Sequence, residues 1–204
     1  MMQRTDEWYA KRTGRFTASQ IFNLLMKPST AGYQNYIAQI VAERLTGLSA
    51  GSDYVSDAMQ NGIELEPRAR TLYEIQTGNT VDEIDFMVHP DIPNFGASPD
   101  GIVGDGLIEI KCRNLSKHIK VILGDKVDRA AMIQMQSQMM CAGSEWCDYV
   151  HFNPQMPAEL QLHIQRVYAD SDLQSEIEEA VRKADDEVEA MIGKLTHTKQ
   201  EENK

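Results

Sequence analysis

The sequence is poor in the features that mark several classes of protein. Its 204 residues hold only three cysteines, Cys112, Cys141 and Cys147. Their odd number and the lack of a CxxC spacing exclude a disulfide framework and the usual zinc signatures, which leaves small, buried, reduced thiols. Glycine (13) and proline (7) are too sparse for a collagen-like or low-complexity chain. No apolar run approaches the roughly 18 to 20 residues of a membrane helix. The first seven residues turn charged where a signal peptide would carry its apolar segment, so the expectation is a soluble, cytoplasmic protein with no membrane partner. With 42% hydrophobic and 25% charged residues, the chain suits a single domain over 1–204, its tail fraying from about residue 196.

Positive charge is also scarce. Lys and Arg number 20 against 31 Asp and Glu, a net charge of −11, which at first sight argues against a polyanionic partner. The deficit is unevenly placed, however. Residues 170–204 carry 11 acids and 5 bases, more than half of the excess. In residues 1–27, by contrast, Arg4, Lys11, Arg12, Arg15 and Lys27 face only Asp6 and Glu7. In residues 111–129, Lys111, Arg113, Lys117, Lys120, Lys126 and Arg129 face Asp125 and Asp128. Two basic segments in an acidic chain permit a focused anion-binding cleft between repulsive outer surfaces.

Thr5 followed by Asp6 and Glu7 marks a helix start, and a second start falls at Thr17 or Ser19. Between them, Arg12-Thr13-Gly14-Arg15 places two guanidinium groups ahead of a helix N-terminus. Such a turn either holds a phosphate or is a solvated connection. Apolar spacing predicts helices at 33–46, 56–77 (carrying Glu64 and Glu66, interrupted or kinked at Pro67), 116–123 and 128–141. A long C-terminal helix follows on the stripe Leu173, Ile177, Val181, Ala184, Val188, Met191, Leu195. Strands are predicted at 80–89, 102–103, 107–110, 146–152 and 160–167. This order predicts a mixed α+β (α/β) fold, a central mixed sheet flanked by helices. Trp8 and Trp146 read as core anchors, Met132, Met135, Met139 and Met140 as a core stripe. None of the five histidines is assigned to catalysis.

Ser98-Pro99-Asp100-Gly101 precedes Glu109-Ile110-Lys111. With 16 Glu and 10 Lys, about one Glu-x-Lys triplet arises by chance, so the surroundings decide. If Asp105-Gly106 forms a two-residue hairpin turn, Asp100 lies opposite Lys111, and Glu109, two residues from Lys111, shares its face. Three charged side chains beside Ile102, Val103, Ile108 and Ile110 need compensation. Either they form a structural ion-pair cluster or two carboxylates hold a divalent cation next to an ammonium. Oxygen ligands without His or Cys suit Mg²⁺ or Mn²⁺, and a metal beside a lysine suits phosphodiester hydrolysis.

Asp100…Glu109-Ile110-Lys111 matches the PD-(D/E)xK nuclease signature. The chain resembles, more widely, the lambda exonuclease (YqaJ-like) family of phage-type recombination nucleases. The resemblance extends over about residues 4–153: Arg4–Trp8, Arg12–Ser19, Glu66-Pro67-Arg68-Ala69-Arg70, Gly96–Gly101, Glu109–Cys112 and Gln134–Met139. It implies a restriction-endonuclease-like core and a 5′-to-3′ exodeoxyribonuclease acting on linear double-stranded DNA. Mononucleotides would be released and a 3′ single strand left for a single-strand annealing protein. Asp100, Glu109, the Ile110 carbonyl and Glu66 would hold Mg²⁺, replaceable by Mn²⁺, with two ions per site. Lys111 and Gln136 would position the attacking water. Arg12, Thr17 and Ser19 would receive the 5′ phosphate, Met59 would separate the strands and Lys117 would touch the backbone. The family also implies a homotrimer, a ring that would convert one modest basic cleft per subunit into a continuous channel. Two departures stand out: Ser29 where the lambda enzyme has an arginine reaching into DNA, and Asn61 where it has a tryptophan. A restriction-like or structure-specific endonuclease shares the metal core but has no use for a 5′-phosphate pocket. A non-catalytic acidic DNA mimic would explain the net charge, yet it conflicts with 20 bases and with acids gathered in the tail.

Overall fold

The structure, a computed structural model, describes residues 5–49 and 57–201; the side chains of residues 57–59, 61 and 198–201 lie outside that description. Helix α1 (Asp6–Arg12) opens on Thr5, whose hydroxyl accepts the Trp8 N–H at 3.2 Å. A 3₁₀ turn, Ala18–Asn23, leads to α2 (Ala31–Thr46), which is capped by Thr30 and closes at Gly47 with φ +68°. Helix α3 is Asp57–Thr77 and contains Pro67 without breaking. Helices α4 (Leu115–Ile122) and α5 (Arg129–Ala142) start on the side chains of Asn114 and Asp128. Finally, α6 runs Ser171–Glu201. Among the described residues no helix is long and apolar enough to cross a membrane.

Among the described residues the strands form two mixed sheets where the sequence suggested one. In the first, β1 (Phe16–Thr17), β2 (Met87–Val88) and β3 (Phe95–Ala97) lie in the order β1-β3-β2. In the second, β4 (Gly101–Val103), β5 (Gly106–Cys112), β6 (Trp146–Phe152) and β7 (Leu162–Tyr168) follow one another, with β5 and β6 parallel and the outer pairs antiparallel. The parallel pair is joined through α4 and α5, as a parallel connection requires. One face of the second sheet packs Ile108, Ile110, Val150 and Phe152 against Ala69 and Tyr73 of α3. The other packs Leu107, Cys147 and Tyr149 against Ala131, Met135 and Met139 of α5. The far side of α5 is buried as well, Ile133 and Cys141 joining Ile21, Ile37, Ile40, Ile177 and Val181 in the largest core. Cys112, Cys141 and Cys147 are all free thiols.

Two local expectations give way. Residues 80–89 supply only β2 and one bridge, Asp82 to Ile102. Side chains take the partners a strand would need: Glu74 accepts the Val81 N–H, Asp85 accepts the Phe86 N–H, and Glu83 and Asp85 reach out to Arg70 and Lys11. The hairpin turn is Gly104-Asp105, with Val103 opposite Gly106. Gly104 supplies the left-handed residue at φ +59°. Gly106 is needed within the strand, because a Cβ there would run into the Trp146 ring. The register is therefore displaced by two residues, and since the side-chain period is two, every residue keeps its face.

Candidate active site

Because parity survives the shift, Asp100, Glu109 and Lys111 do converge. The Asp100 N–H donates to the Ile108 carbonyl at 3.1 Å, and Asp100 Oδ2 accepts the Ile110 N–H at 2.6 Å. Lys111 Nζ lies 2.5 Å from Glu109 Oε1. Glu109 is 2% exposed, and both its oxygens are held: Gln134 Nε2 donates to Oε1 at 2.8 Å and Gln138 Nε2 to Oε2 at 2.6 Å. Gln134 Oε1 in turn faces Lys111 Nζ at 3.4 Å. Glu66, on α3, is bonded by Arg70 Nη2 at 2.9 Å, and the same nitrogen reaches the Asp100 carbonyl at 3.2 Å.

The electrostatics of this cluster favour a cation. Burial, then the charges of Glu109 and Glu66, push the Asp100 carboxyl well above the ordinary carboxylate range. Burial opposes the Lys111 ammonium, but Glu109 and Asp100 more than offset it and hold its pKa above the usual lysine value. Asp100 and buried Glu109 thus flank one ammonium, Glu66 acts on Asp100 from α3, and all their donors are oxygen. That set fits a hard divalent ion. Among the described residues no three His, Cys, Asp or Glu side chains are grouped to hold an ion by themselves, so Asp100 and Glu109 would be joined by the Ile110 carbonyl.

Gln136, expected beside Lys111, is elsewhere. Its amide donates to the Tyr168 carbonyl at 2.8 Å and accepts from Asp170 N and Gln174 Nε2, which ties α5 to the β7–α6 junction. Helical geometry is the reason: Gln134 and Gln138, four apart, share the face toward the sheet, and Gln136 between them points away. The i, i+4 spacing puts Gln134 and Gln138 on one face of α5, but it does not say which face meets the sheet.

The Arg12 corner adjoins the carboxylates. The Arg12 guanidinium lies 4.1 Å from the Trp8 ring centroid, and its Nη1 donates to Ser98 Oγ at 3.2 Å; Trp8 Nε1 donates to the same oxygen at 3.0 Å. Burial lowers the Arg12 pKa below the usual guanidinium value, while Tyr36, Tyr9 and Glu43 act to raise it. Trp8 is therefore both a buried anchor and a platform for Arg12. Ser98, not singled out from the sequence, proves to be the shared partner. Thr17 is buried and its N–H is taken by Tyr36 Oη at 2.9 Å; Ser19 is exposed on the 3₁₀ turn. Neither has a hydrogen bond to Arg12 among the described contacts. Lys117 is exposed in the first turn of α4. Met59 and Asn61 lie in α3, but their side chains are outside the described residues. Ser29 is exposed beyond the 3₁₀ turn.

Comparison with known proteins gives the family and fold of the chain. The family described as YqaJ-like viral recombinase domain matches residues 7–145. An alkaline exonuclease from Laribacter hongkongensis, LHK-Exo, is 43% identical with a TM-score of 0.89, covering 97% of this chain and 99% of that one. The structure of LHK-Exo in complex with dAMP gives 42% identity and a TM-score of 0.90 over the same shares. A phage-related exonuclease from Haemophilus somnus 129PT shares the fold at a TM-score of 0.71 and 18% identity, covering 89% of this chain and 96% of that one. No curated protein matches the chain.

Proposed function

The chain belongs to the YqaJ-like viral recombinase domain family, and from that premise we propose an Mg²⁺-dependent exodeoxyribonuclease that digests one strand of linear double-stranded DNA from 5′ to 3′. It releases mononucleotides and leaves a 3′ overhang for a single-strand annealing protein. The observation that carries this reading is the convergence of Asp100, buried Glu109 and Lys111, with its excess of carboxylate charge.

In this role Asp100, Glu109 and the Ile110 carbonyl would hold Mg²⁺, replaceable by Mn²⁺ and with two ions per site, and Glu66 would complete the ligand set. When bound, the metal would supply Lewis-acid stabilisation of the charge that develops on the phosphate. Lys111 orients the attacking water, held in place by Glu109 and Gln134. Gln134 takes the part the sequence gave to Gln136. Arg12 and Ser98 receive the 5′ phosphate through charge-assisted hydrogen bonds. Ser98 and Asp100 are two residues apart, so their Cα atoms stand no more than about 7 Å from each other. A terminal phosphate at Ser98 thus presents the next phosphodiester to the carboxylates, which favours mononucleotide release. The dAMP in the LHK-Exo complex is such a product in kind. Lys117 contacts backbone, Met59 parts the strands, and the enzyme works as a homotrimer in the cytoplasm.

The test uses end-labelled duplex with Mg²⁺. Linear 5′-phosphorylated DNA is expected to yield mononucleotides while closed circular DNA is spared; nicking of the circle would instead mark an endonuclease. Light scattering is expected to give three times 23.0 kDa, and a monomer that digests kilobase duplexes without dissociating would remove the ring.

A further inference from the structure

Arg70 lies where two elements that carry carboxylates meet. Residues 66 and 70 are one helical turn apart, so Glu66 and Arg70 share a face of α3. One nitrogen, Nη2, donates both to Glu66 Oε1 at 2.9 Å and to the Asp100 carbonyl at 3.2 Å, while Nη1 pairs with Glu83. The side chain is only 15% exposed. The remaining fastenings of Asp100 belong to β5: its N–H goes to Ile108 and its carboxylate takes the Ile110 N–H. Among the described contacts, α3 otherwise meets the second sheet through apolar packing of Ala69 and Tyr73 on Ile108 and Ile110, and through the Tyr73 hydroxyl, which donates to Asp148 Oδ2 of β6 at 2.7 Å. Apolar packing is non-directional, and the Tyr73 bond ties α3 to β6, not Glu66 to Asp100. The planar guanidinium is directional, and a lysine could not reproduce its fork.

Resting on the divalent-ion reading of the site, we infer that Arg70 is a positioning residue: it locks Glu66 on α3 to the backbone of Asp100 and thereby fixes the spacing of the carboxylates that receive the metal. It touches neither DNA nor the ion. Glu83, on the exposed side of the same guanidinium at 58% exposure, only covers it.

The test is Mn²⁺ binding by calorimetry on the full-length protein, with Arg70→Gln, Arg70→Lys and Glu83→Gln beside the unmutated chain. Steady-state digestion over a range of Mg²⁺ accompanies it. Arg70→Gln is expected to weaken Mn²⁺ binding about 10-fold or more, the scale typical of groups that orient metal ligands. The Mg²⁺ concentration for half-maximal rate should rise in parallel. At saturating Mg²⁺, kcat should recover and KM for DNA stay unchanged, a pattern that general loss of structure would not give. Arg70→Lys should fall between, and Glu83→Gln should stay within about twofold of the unmutated protein, the small effect expected of an exposed pair. If Arg70→Gln does not fold, Arg70→Lys alone decides. Mn²⁺ affinity within twofold of the unmutated protein in every folded Arg70 variant overturns the inference. So does a loss of kcat that added metal does not restore. An unmutated protein that binds no Mn²⁺ overturns the ion site itself, and that failure is visible before any variant is made.

Discussion

The carboxylate cluster and the Arg12 corner meet at Ser98-Pro99-Asp100 but are built differently. Glu109 and Lys111 are mounted on one strand, with Asp100 brought alongside by its hairpin partner. Their common face follows from the two-residue period and tolerates a displaced register. The Arg12 corner has no such scaffold: a helix supplies Trp8 and Arg12, the 86–98 segment supplies Phe86 and Ser98, and α2 supplies Tyr36. Chemistry on a paired strand depends on local geometry, whereas chemistry in a corner depends on every element that forms it. The two regions should therefore differ in how they respond to mutation.

The largest effect is expected at the cluster. Glu109→Ala or Lys111→Ala should lower the hydrolysis rate by at least about 10²-fold, the usual contribution of a metal-binding or proton-handling group. The fold should persist, since the surrounding strand pairs are backbone interactions. Digestion of labelled duplex together with a thermal melt checks both halves. A variant that keeps more than about a tenth of the rate would break the assignment.

Next comes the corner. Arg12→Ala should abolish most of the preference for 5′-phosphorylated over 5′-hydroxyl duplex, with Ser98→Ala smaller and in the same direction, because a charge-assisted hydrogen bond outweighs a neutral one. Equal rates on the two substrates in the unmutated enzyme would detach the corner from phosphate recognition.

The glutamines sharpen the comparison within one helix. Gln138→Leu removes a donor to Glu109 Oε2 and should lower kcat/KM by about 10-fold, near the lower end of the cost of a lost hydrogen bond to a charged group. Gln136→Leu removes three bonds at the β7–α6 junction and should lower the melting temperature instead, leaving kcat/KM within about threefold. If the two variants exchange these phenotypes, the orientation of α5 is wrong.

The smallest effect concerns His151, which lies opposite Lys111 across the β5–β6 pair and is 2% exposed. Burial, then Arg113, His163 and His118, lower its pKa from 6.5 to about 4. The folded state keeps this imidazole neutral, while the unfolded chain takes up a proton below pH 6.5. Stability should therefore fall as pH drops from about 6.5 toward 4 and level off below that. The His151 share of the loss is about 1 kcal/mol between pH 8 and pH 6. Urea titrations should show His151→Leu with a shallower slope over that interval, and an unchanged slope would locate the acid sensitivity at other residues.

The sequence by itself determined the α+β class, the Thr5 cap that opens α1, and the common face of Asp100, Glu109 and Lys111. Each follows from local chemistry: a hydroxyl or carboxylate at a helix start, an apolar spacing, a strand's parity. It determined less where partners are distant. Carboxylates that satisfied nearby N–H groups dissolved most of the strand expected at 80–89. Which glutamine of α5 faces Glu109 was not legible because that helix is buried on both sides, so no polar stripe marks its orientation. Ser98 and Arg12 stand 86 positions apart, and Arg70 and the Asp100 carbonyl 30 apart. Such pairings have no periodicity in the chain. They exist only once the packed cores have brought α1 and α3 to the loop before β4, and that step the tertiary structure alone decided.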